Sequence, residues 1–341
     1  MNPKPTLLRR GLLAATVACA ALSVAAAPAH AAISITDADE DSFRYANAPG
    51  WTTILGTGAW KPVLTAGSID PPTNGWLRLT EPAPYHAGTA VYNTAFSSAE
   101  GLQITFDYAS YGNNPNNGDG MTFYLIDGST ATPTLGYHSA TLGYTLALPT
   151  MLGVTNGYVG IGLDEYGGFS ALPHLGQGCA VACSLSRKPQ SVAVRGAGSL
   201  DKGFPLLASV SLPNDFPALG QISTAQADRS DARTVRITIS PVTPAAPYPK
   251  ITVEIIDPNT GNFVTVIDAL DLSNNGPVPK TFKMGFSAAS GGGLRSYHEV
   301  RIRSARTLVS AVPTVGQSTL GALAVLLALL ALPALRWRIR N

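Results

Sequence analysis

The sequence has few charged residues, few cysteines and none of the short motifs that mark common enzymes. Only 13% of its 341 residues are charged, and only 3 are cysteines. It contains no G-x-S-x-G, H-E-x-x-H or P-loop pattern. A glycoside hydrolase needs two carboxylates facing each other across a cleft, but no predicted strand carries acids at the i, i+2 or i+4 spacing of one face. The sequence therefore favours a binding or structural protein over an enzyme.

The first of two long apolar runs lies at the N-terminus. Three basic residues precede an apolar run over 11–27, and Ala29-His30-Ala31 follows that run directly. A basic start, an apolar stretch and a small-residue cleavage site are the three parts of a secretory signal. We predict a signal peptide over 1–31 and a mature chain that begins near Ala32.

The second apolar run predicts a membrane anchor. Leu320 to Leu335 contains no charged residue and is followed at once by Arg336, Arg338 and Arg340. A run of this length lies at the short end of what spans a bilayer, and arginines after it favour a cytoplasmic tail. We predict a tether over 304–318, a transmembrane helix over 319–336 and a basic tail over 337–341. The remainder of the chain would then lie outside the cytoplasm.

The net charge excludes a nucleic-acid partner. The whole chain carries +2, but six of its basic residues and no acid lie in the two terminal segments, so their removal leaves −4. A mildly acidic exterior portion has no basic surface for phosphates.

The cysteines agree with export. Cys19 lies in the predicted signal peptide, and Cys179 and Cys183 lie four residues apart in a predicted loop. Two cysteines in an oxidising compartment predict a small disulfide. A metal site that includes His174 is the alternative, but this stretch offers no clear fourth ligand.

The segment 32–303 predicts one all-β domain, an antiparallel β-sandwich. Its many glycines and prolines interrupt the chain too often for long helices. Apolar residues occupy alternate positions, which is typical of strands with one buried face. This alternation is present in the segments 102–108, 235–239, 251–255, 282–286 and 300–302. The residues 257–262 separate two of them and predict a hairpin connection.

Four segments resemble the legume-type (L-type) lectin family, especially its bacterial surface members. They are Ile104–Tyr108 with Gly118–Gly128, then Leu142-Gly143-Tyr144, then Gly157–Ser170 with Ser191–Gly196, and last Met284–Gly291 leading to His298-Glu299-Val300. The resemblance covers about residues 104–303 and implies a jelly-roll β-sandwich that binds a glycan or polysaccharide.

The resemblance assigns a sugar contact to Asp119. In the family, the aspartate of this motif follows an unusual cis peptide, which here would join Gly118 and Asp119. A carboxylate that glycines hold at a loop tip can accept hydrogen bonds from neighbouring sugar hydroxyls. Gly120 is included in the same predicted site. The alternative is an ordinary aspartate in a turn.

The resemblance also implies a metal-and-sugar loop at Asp164-Glu165-Tyr166. Asp164 and Tyr166 match family ligands of calcium, which takes six to eight oxygens. Gly162 and Gly168 stand where the family has an acid and an asparagine, so the oxygen count is low. A single Ca²⁺ remains possible, and the alternative is that Asp164 only hydrogen-bonds its loop. Gly168 stays in the predicted carbohydrate site by position.

The resemblance places two further loops beside the sugar. Ser139 lies where a family glycine gives a backbone N–H, and Gly292 lies in the loop that varies with specificity. Tyr166 and Phe169 are candidates to stack on a sugar ring. We assign His298 to a strand edge and not to the site.

The C-terminal segment resembles a second known pattern. Val312-Pro313-Thr314-Val315, the apolar run and the arginine-rich end are similar to the IPTL-CTERM sorting signal of Gram-negative bacteria, which implies processing by an exosortase-like enzyme. The sequence thus predicts an exported, membrane-anchored lectin in the periplasm or on the cell surface, with a role in adhesion or glycan recognition. The alternative is an interaction or structural module with a degenerate sugar site, and a glycoside hydrolase is the third hypothesis.

Overall fold

The chain folds into two mainly antiparallel β-sheets that pack face to face. The computed structural model describes residues 32–309 except 113–116, 148–149, 172–174, 180–185, 215, 217 and 294. Strands dominate this part of the chain, and its helical segments are four 3₁₀ turns: Glu40–Ser42, Thr57–Ala59, Ser98–Glu100 and Ser139–Thr141. The predicted all-β sandwich is confirmed.

The strands, in chain order, are β1 (Ser34–Thr36), β2 (Trp51–Ile54), β3 (Val63–Leu64), β4 (Leu77–Thr80), β5 (Ala87–Tyr92), β6 (Phe96–Ser97), β7 (Leu102–Gly112), β8 (Gly120–Asp127), β9 (Gly157–Asp164), β10 (Ser191–Arg195), β11 (Gly198–Ser199), β12 (Lys202–Gly203), β13 (Leu206–Ser211), β14 (Gln221–Ile222), β15 (Arg233–Ile239), β16 (Lys250–Ile256), β17 (Phe263–Asp271), β18 (Thr281–Ala289) and β19 (Tyr297–Arg306). Sheet 1 has the order β17-β16-β15-β7-β19-β4-β3, with β1 on β19 and β14 on β7. Sheet 2 has the order β12-β11-β9-β8-β18-β5-β2, with β10 on β9, β13 on β10 and β6 on β18.

Sheet 1 contains the strands whose alternation was clearest in the sequence. In β15, Val235, Ile237 and Ile239 are buried while the residues between them are partly exposed. Ile237 lies opposite Ile104 of β7 and Val253 of β16. One face of this sheet therefore packs on the core and the other faces solvent, as a period of two predicts.

The two sheets meet through aromatic side chains. The ring of Phe106 on β7 lies 5.1 Å from the ring of Phe286 on β18, measured between centroids, and the two rings are nearly perpendicular. Phe123 on β8 lies 5.4 Å from the same Phe286 ring. All three residues are at most 1% exposed. Edge-to-face rings of this kind stabilise the sandwich beyond the burial of their area.

Sheet 2 is buried on both faces at its centre. Every residue of β9, and every residue of β8 except the last, is buried. Phe123 belongs to the core between the sheets, whereas its neighbour Tyr124 packs on the other side with Tyr144 and Phe204. Loop residues between the strands of sheet 2 thus form a second layer over its outer face: Leu142, Tyr144, Leu146, Val154, Phe169 and Phe204. This layer explains why β8 and β9 read as nearly continuous apolar runs.

The strand register brings three loops to one end of sheet 2. Gly120, the first residue of β8, lies opposite Asp164, the last residue of β9. Gly120 also lies opposite Ala289, the last residue of β18. Because β8 is antiparallel to both neighbours, the loop before β8 and the loops after β9 and β18 meet at the same end of the sheet.

Several sequence predictions concern residues outside the described part of the chain. These are the signal peptide 1–31, the end of the tether, the membrane helix 319–336 and the tail 337–341. Within residues 32–309, as far as the structure describes them, there is no helix long and apolar enough to cross a bilayer. The disulfide between Cys179 and Cys183 stays a prediction, because Cys183 lies among the residues not described, as does His174.

Candidate functional site

A cavity opens where the three loops meet at the end of sheet 2. It has a volume of about 420 Å³ and receives residues from the loop before β8, the 3₁₀ turn Ser139–Thr141, the segment after β9 and the loop after β18. We call it the Asp119 cavity. Its lining residues are Asp119, Ser139, Ala140, Tyr166, Arg187, Gly291, Gly292 and Gly293.

The backbone of Asp119 connects the predicted sugar loop to the predicted metal loop. The carbonyl oxygen of Asp119 accepts hydrogen bonds from the amides of Glu165 at 3.0 Å and Tyr166 at 3.2 Å, while its own amide donates to Ala289 at 2.9 Å. The resemblance assigned Asp119 and Tyr166 to one carbohydrate site, which requires them to lie close together, and the structure brings these two residues together.

Glycines set the backbone path on both sides of Asp119. The peptide between Gly118 and Asp119 is cis, as the resemblance implied. Gly118 has φ = 142° and Gly120 has φ = 138°, values that L side chains rarely adopt. A Cβ atom at Gly120 would lie 2.2 Å from the carbonyl oxygen of Leu163. Gly120 therefore positions Asp119 from within the sheet and does not itself line the cavity.

The Asp119 carboxyl is buried, and one of its oxygens has no hydrogen-bond partner among the described residues. The residue is 2% exposed, and the oxygen without a partner is Oδ2. Burial raises the pKa of Asp119 well above its usual value, and the carboxylates of Asp164 and Glu165 raise it further, whereas Arg187 opposes them. A buried acceptor without a partner costs about 1–3 kcal/mol. A ligand hydroxyl at Oδ2 would remove that cost.

Asp164 holds its own loop together. Its Oδ1 atom accepts from the amide of Gly167 at 2.8 Å, and its Oδ2 atom accepts from the amide of Ser170 at 2.6 Å. The side chain is fully buried, and this burial raises the pKa of Asp164 to about 7 even though the hydrogen bonds and Arg195 act in the opposite direction. Both carboxyl oxygens are therefore directed at backbone donors of the loop 164–170.

The side chain of Arg195, from strand β10, and the ring of Phe169 pack inside the loop 164–170. The buried Arg195 guanidinium donates to the carbonyl oxygens of Phe169 at 2.9 Å, Phe204 at 3.2 Å and Leu175. Its Cζ atom lies 5.3 Å from the centre of the Phe169 ring. That ring fills the space over Gly162, where a Cβ atom would lie 2.6 Å from it. Phe169 is fully buried, so the prediction that it could stack on a sugar is wrong.

The described residues, as arranged, do not fit a calcium ion. Calcium takes six to eight oxygens, but both oxygens of Asp164 are engaged by amides. No group of three or more His, Cys, Asp or Glu in the described part of the chain could hold a metal ion. The buried Arg195 already supplies positive charge near Asp164. The predicted metal roles of Asp164 and Tyr166 therefore gain no support from the geometry.

Tyr166 and Arg187 form one wall of the Asp119 cavity. The Cζ atom of Arg187 lies 3.7 Å from the centre of the Tyr166 ring, so the guanidinium lies over that ring. Arg187 is exposed and Tyr166 is partly exposed. Tyr166 was predicted from the sequence as a site residue, whereas Arg187 was not. A lone arginine before a strand belongs to no recognisable pattern, so no sequence signal marked it.

The opposite wall combines a 3₁₀ turn with the glycine loop. The amide of Ser139 donates to the carbonyl oxygen of Ser290 at 3.3 Å, so it is not the sugar donor that the resemblance implied. The Ser139 hydroxyl lies 2.8 Å from Nδ1 of His138. Gly292 leaves room for Tyr85, because a Cβ atom there would lie 2.4 Å from the Tyr85 hydroxyl. The sequence analysis also missed Tyr85.

The remaining predicted site residue is Gly168. It is buried, its carbonyl oxygen accepts from the amide of Ala171 at 3.3 Å, and it is not among the residues that line the cavity. Four of the six predicted carbohydrate residues thus line one cavity, namely Asp119, Ser139, Tyr166 and Gly292. Gly120 and Gly168 do not line the cavity and affect only the path of the backbone beside it.

A second cavity of about 430 Å³ adjoins the first across the same wall. We call it the Gln190 cavity. Tyr166 and Arg187 border both cavities, and the other residues that line the second are Asn117, Glu165, Pro189, Gln190, Ala218, Gly220 and Ile222. The shared wall makes the two cavities neighbours at the end of the sandwich.

Glu165 lines the Gln190 cavity, and side chains of sheet 1 hold its carboxylate in place. Its carboxylate accepts from the hydroxyls of Tyr108 and, at 2.9 Å, Ser110. The Nε2 atom of His298 lies 3.3 Å from Oε1 of Glu165. The prediction that His298 lies at a strand edge is wrong, since β19 lies inside sheet 1 between β7 and β4 and His298 is fully buried.

Comparisons with known proteins find similarity only among solved structures. No family model matches the chain, and no curated protein matches it by sequence. The basic winged bean lectin with Tn-antigen is 14% identical, with 77% of this chain and 94% of that chain covered and a TM-score of 0.48. The Lotus tetragonolobus seed lectin is 16% identical, with the same two coverages and a TM-score of 0.48. The exoplasmic/lumenal domain of VIP36 in its Ca²⁺/Man-bound form is 15% identical, with 78% and 86% covered and a TM-score of 0.45. These values describe similarity and assign this chain neither a family nor a ligand.

Proposed function

We propose that the chain is a carbohydrate-binding protein whose ligand enters the Asp119 cavity. The observation that carries this proposal is a buried aspartate that lines an open cavity and whose Oδ2 atom has no hydrogen-bond partner among the described residues. In this proposal a sugar hydroxyl enters the cavity, reaches the carboxyl and supplies that hydrogen bond. Binding sites commonly combine a few polar groups of this kind with an aromatic wall, here the ring of Tyr166.

The cavity favours binding over glycoside hydrolysis. Hydrolysis needs two carboxylates on opposite sides of the scissile bond. Asp119 is the single carboxylate among the described residues that line the Asp119 cavity. Glu165, in the neighbouring cavity, is engaged by Tyr108 and Ser110. A carbohydrate-binding role therefore uses the carboxyl groups as they are arranged.

Binding by this site would not require calcium. In this proposal Arg195 and the backbone amides around Asp164 hold the loop that carries Tyr166, where the resemblance implied a calcium ion.

A glycan array tests the proposal directly. The full-length chain is expected to bind at least one glycan, and Asp119→Asn is expected to reduce that affinity about tenfold or more, because a hydrogen bond to a carboxylate contributes about 1.5–3 kcal/mol. Asp127→Asn is the matched control, since Asp127 lies at the other end of β8 and accepts from the amide of Ser129 at 2.8 Å. Equal losses in both variants would contradict the assignment.

The second candidate function is a structural or interaction module. The low exposure of Asp119, 2%, favours it, because a carboxyl so deeply buried could serve only to hold the loops together. This candidate predicts a folded chain that binds no glycan on the array. It also predicts that Asp119→Asn lowers stability without any loss of ligand.

We further propose that the protein is exported and membrane-anchored, with the sandwich outside the cytoplasm. The support is the sequence of the two ends, with a signal-like segment over 1–31 and an apolar segment over 319–336. An exosortase-like enzyme would process the C-terminal segment. Cell fractionation and sequencing of the mature N-terminus test this, and a cytoplasmic chain that still begins at Met1 would refute it.

A further inference from the structure

Arg187 stands between two cavities with its charge turned to solvent. Its guanidinium rests on the Tyr166 ring at 3.7 Å, and the residue borders both the Asp119 cavity and the Gln190 cavity. The guanidinium carries five N–H donors around its edge, all in one plane.

The positive charge of Arg187 is not paired within the described part of the chain. No carboxylate there lies within ion-pair distance of it, although eight ion pairs form elsewhere among these residues. Of the nearby acids, Asp164 accepts from two amides and Glu165 accepts from Tyr108 and Ser110, while Asp119 shares the cavity but forms no ion pair with Arg187. The field of Arg187 reaches the cavity floor, where it acts to lower the pKa of Asp119.

A guanidinium that has no ion-pair partner in the described part of the chain is suited to bind an oxyanion. Arginine presents paired N–H donors in a plane that matches the two oxygens of a carboxylate, and sulfate presents a similar edge. A neutral sugar hydroxyl would use only one of these donors and none of the charge. The remaining lining groups of the Asp119 cavity include the Ser139 hydroxyl and three glycines, which carry no charge.

We propose that this site selects anionic glycans, with Arg187 binding a carboxylate or sulfate group while Asp119 binds a hydroxyl of the same or the adjoining sugar. The inference rests on the proposed carbohydrate-binding function and adds the class of ligand. Arg187 is then a specificity-determining residue, and Tyr166 is the platform that holds its guanidinium flat.

Matched pairs of glycans test the inference. The full-length chain would be applied to an array that carries uronic-acid and sialic-acid glycans beside their carboxyl-reduced neutral forms, and sulfated glycans beside their desulfated forms. The two sets of pairs distinguish a carboxylate from a sulfate ligand. The variants are Arg187→Gln, which removes the charge, and Arg187→Lys, which keeps the charge without the paired donors.

We expect at least one acidic glycan to bind about tenfold or more tightly than its neutral form, as a charge-assisted pair of hydrogen bonds implies. In Arg187→Gln that ratio should fall to about one or two, and in Arg187→Lys it should lie in between. Arg236→Gln is the matched control and should keep the wild-type ratio. Arg236 is also stacked on a ring, that of Phe263 at 3.8 Å, but lies on sheet 1 and pairs with Glu254.

The possible failures are distinguishable. Equal binding of acidic and neutral glycans, lost in Asp119→Asn, would overturn anion selectivity and leave the carbohydrate site standing. An acid preference that persists in Arg187→Gln would overturn the role of Arg187. A folded chain that binds no glycan of either kind would overturn both this inference and the proposed function.

Discussion

The backbone carbonyl of Asp119 accepts the amide hydrogen of Tyr166 at a distance of 3.2 Å, and this bond joins the floor of the Asp119 cavity to its wall. Asp119 precedes β8, whereas Tyr166 follows β9. Their contact arises because β8 and β9 are antiparallel neighbours whose paired ends are Gly120 and Asp164. Four tests follow from the way this corner of the sandwich is built.

Substitution of Gly120 should destabilise the fold. Gly120→Ala places a Cβ atom 2.2 Å from the carbonyl oxygen of Leu163 at a φ of 138°. We expect the free energy of unfolding to fall by about 2–3 kcal/mol, from backbone strain and overpacking. Gly293→Ala is the control, since a Cβ atom there meets nothing within 4 Å. Urea denaturation measures both variants, and equal stabilities would contradict the close packing at Gly120.

Substitution of Arg195 should loosen the loop 164–170. Arg195→Met leaves the carbonyl oxygens of Phe169, Leu175 and Phe204 without their donor. Unpaired buried acceptors cost about 1–3 kcal/mol each, so we expect a loss of at least about 3 kcal/mol from the three carbonyl oxygens together. Arg306→Met, at an exposed position of β19, should change stability by less than about 0.5 kcal/mol. A small effect of Arg195→Met in denaturant titration would contradict its structural role.

Calcium and chelators should leave the melting temperature unchanged. A ligand that binds only the folded state at one hundred times its dissociation constant stabilises by about 2.7 kcal/mol. Because both oxygens of Asp164 are engaged by amides, we expect no such gain from calcium and no loss with EDTA. Differential scanning calorimetry checks this. A rise in melting temperature with calcium that disappears in Asp164→Asn would instead restore the metal site.

The ionisation of Asp164 should make stability fall as pH rises. Its pKa is about 7 in the folded chain against 3.8 as the ordinary value, so the folded state binds more protons between about pH 4 and pH 7. The free energy of unfolding contributed by Asp164 is therefore greatest near pH 4 and decreases through this window, by a few kcal/mol in all.

The comparison of wild type with Asp164→Asn measures this effect together with the part of the Asp119 shift that the Asp164 carboxylate causes. Asp119 shifts in the same direction, whereas the lowered pKa values of His86 and His138 act in the opposite sense, and all three remain in the variant. Urea titrations at several pH values give the difference between the two slopes. Parallel slopes would show that Asp164 does not titrate in this window.

The strands were predictable where one face of a strand meets water. Val235, Ile237 and Ile239 alternate with polar residues, and β15 follows that pattern. The central strands β8 and β9 are covered on both faces, so they lack alternation and only their turn residues and the family resemblance indicated them. The covering layer itself comes from segments distant in sequence, and no local pattern encodes it.

The candidate site was predictable where a motif names the residue. Asp119 and Tyr166 lie in recognisable segments, and they line one cavity. Arg187 lies in no motif, and its role depends on the position of the Tyr166 ring. The amide of Ser139 lies in the expected loop, but it is used by Ser290. A sequence pattern indicates which groups are present, and it cannot show which of them are already paired.

The sequence by itself determined the class of the fold and the candidate loops, because alternation, glycines and a few motifs are local properties of the chain. Only the tertiary structure decided what those loops contain. The ring of Phe169 lies over Gly162, Asp164 bonds to amides of its own loop, and Arg195 reaches three carbonyl oxygens from a neighbouring strand. These outcomes depend on which group occupies a given space, and packing between segments far apart in the sequence decides that.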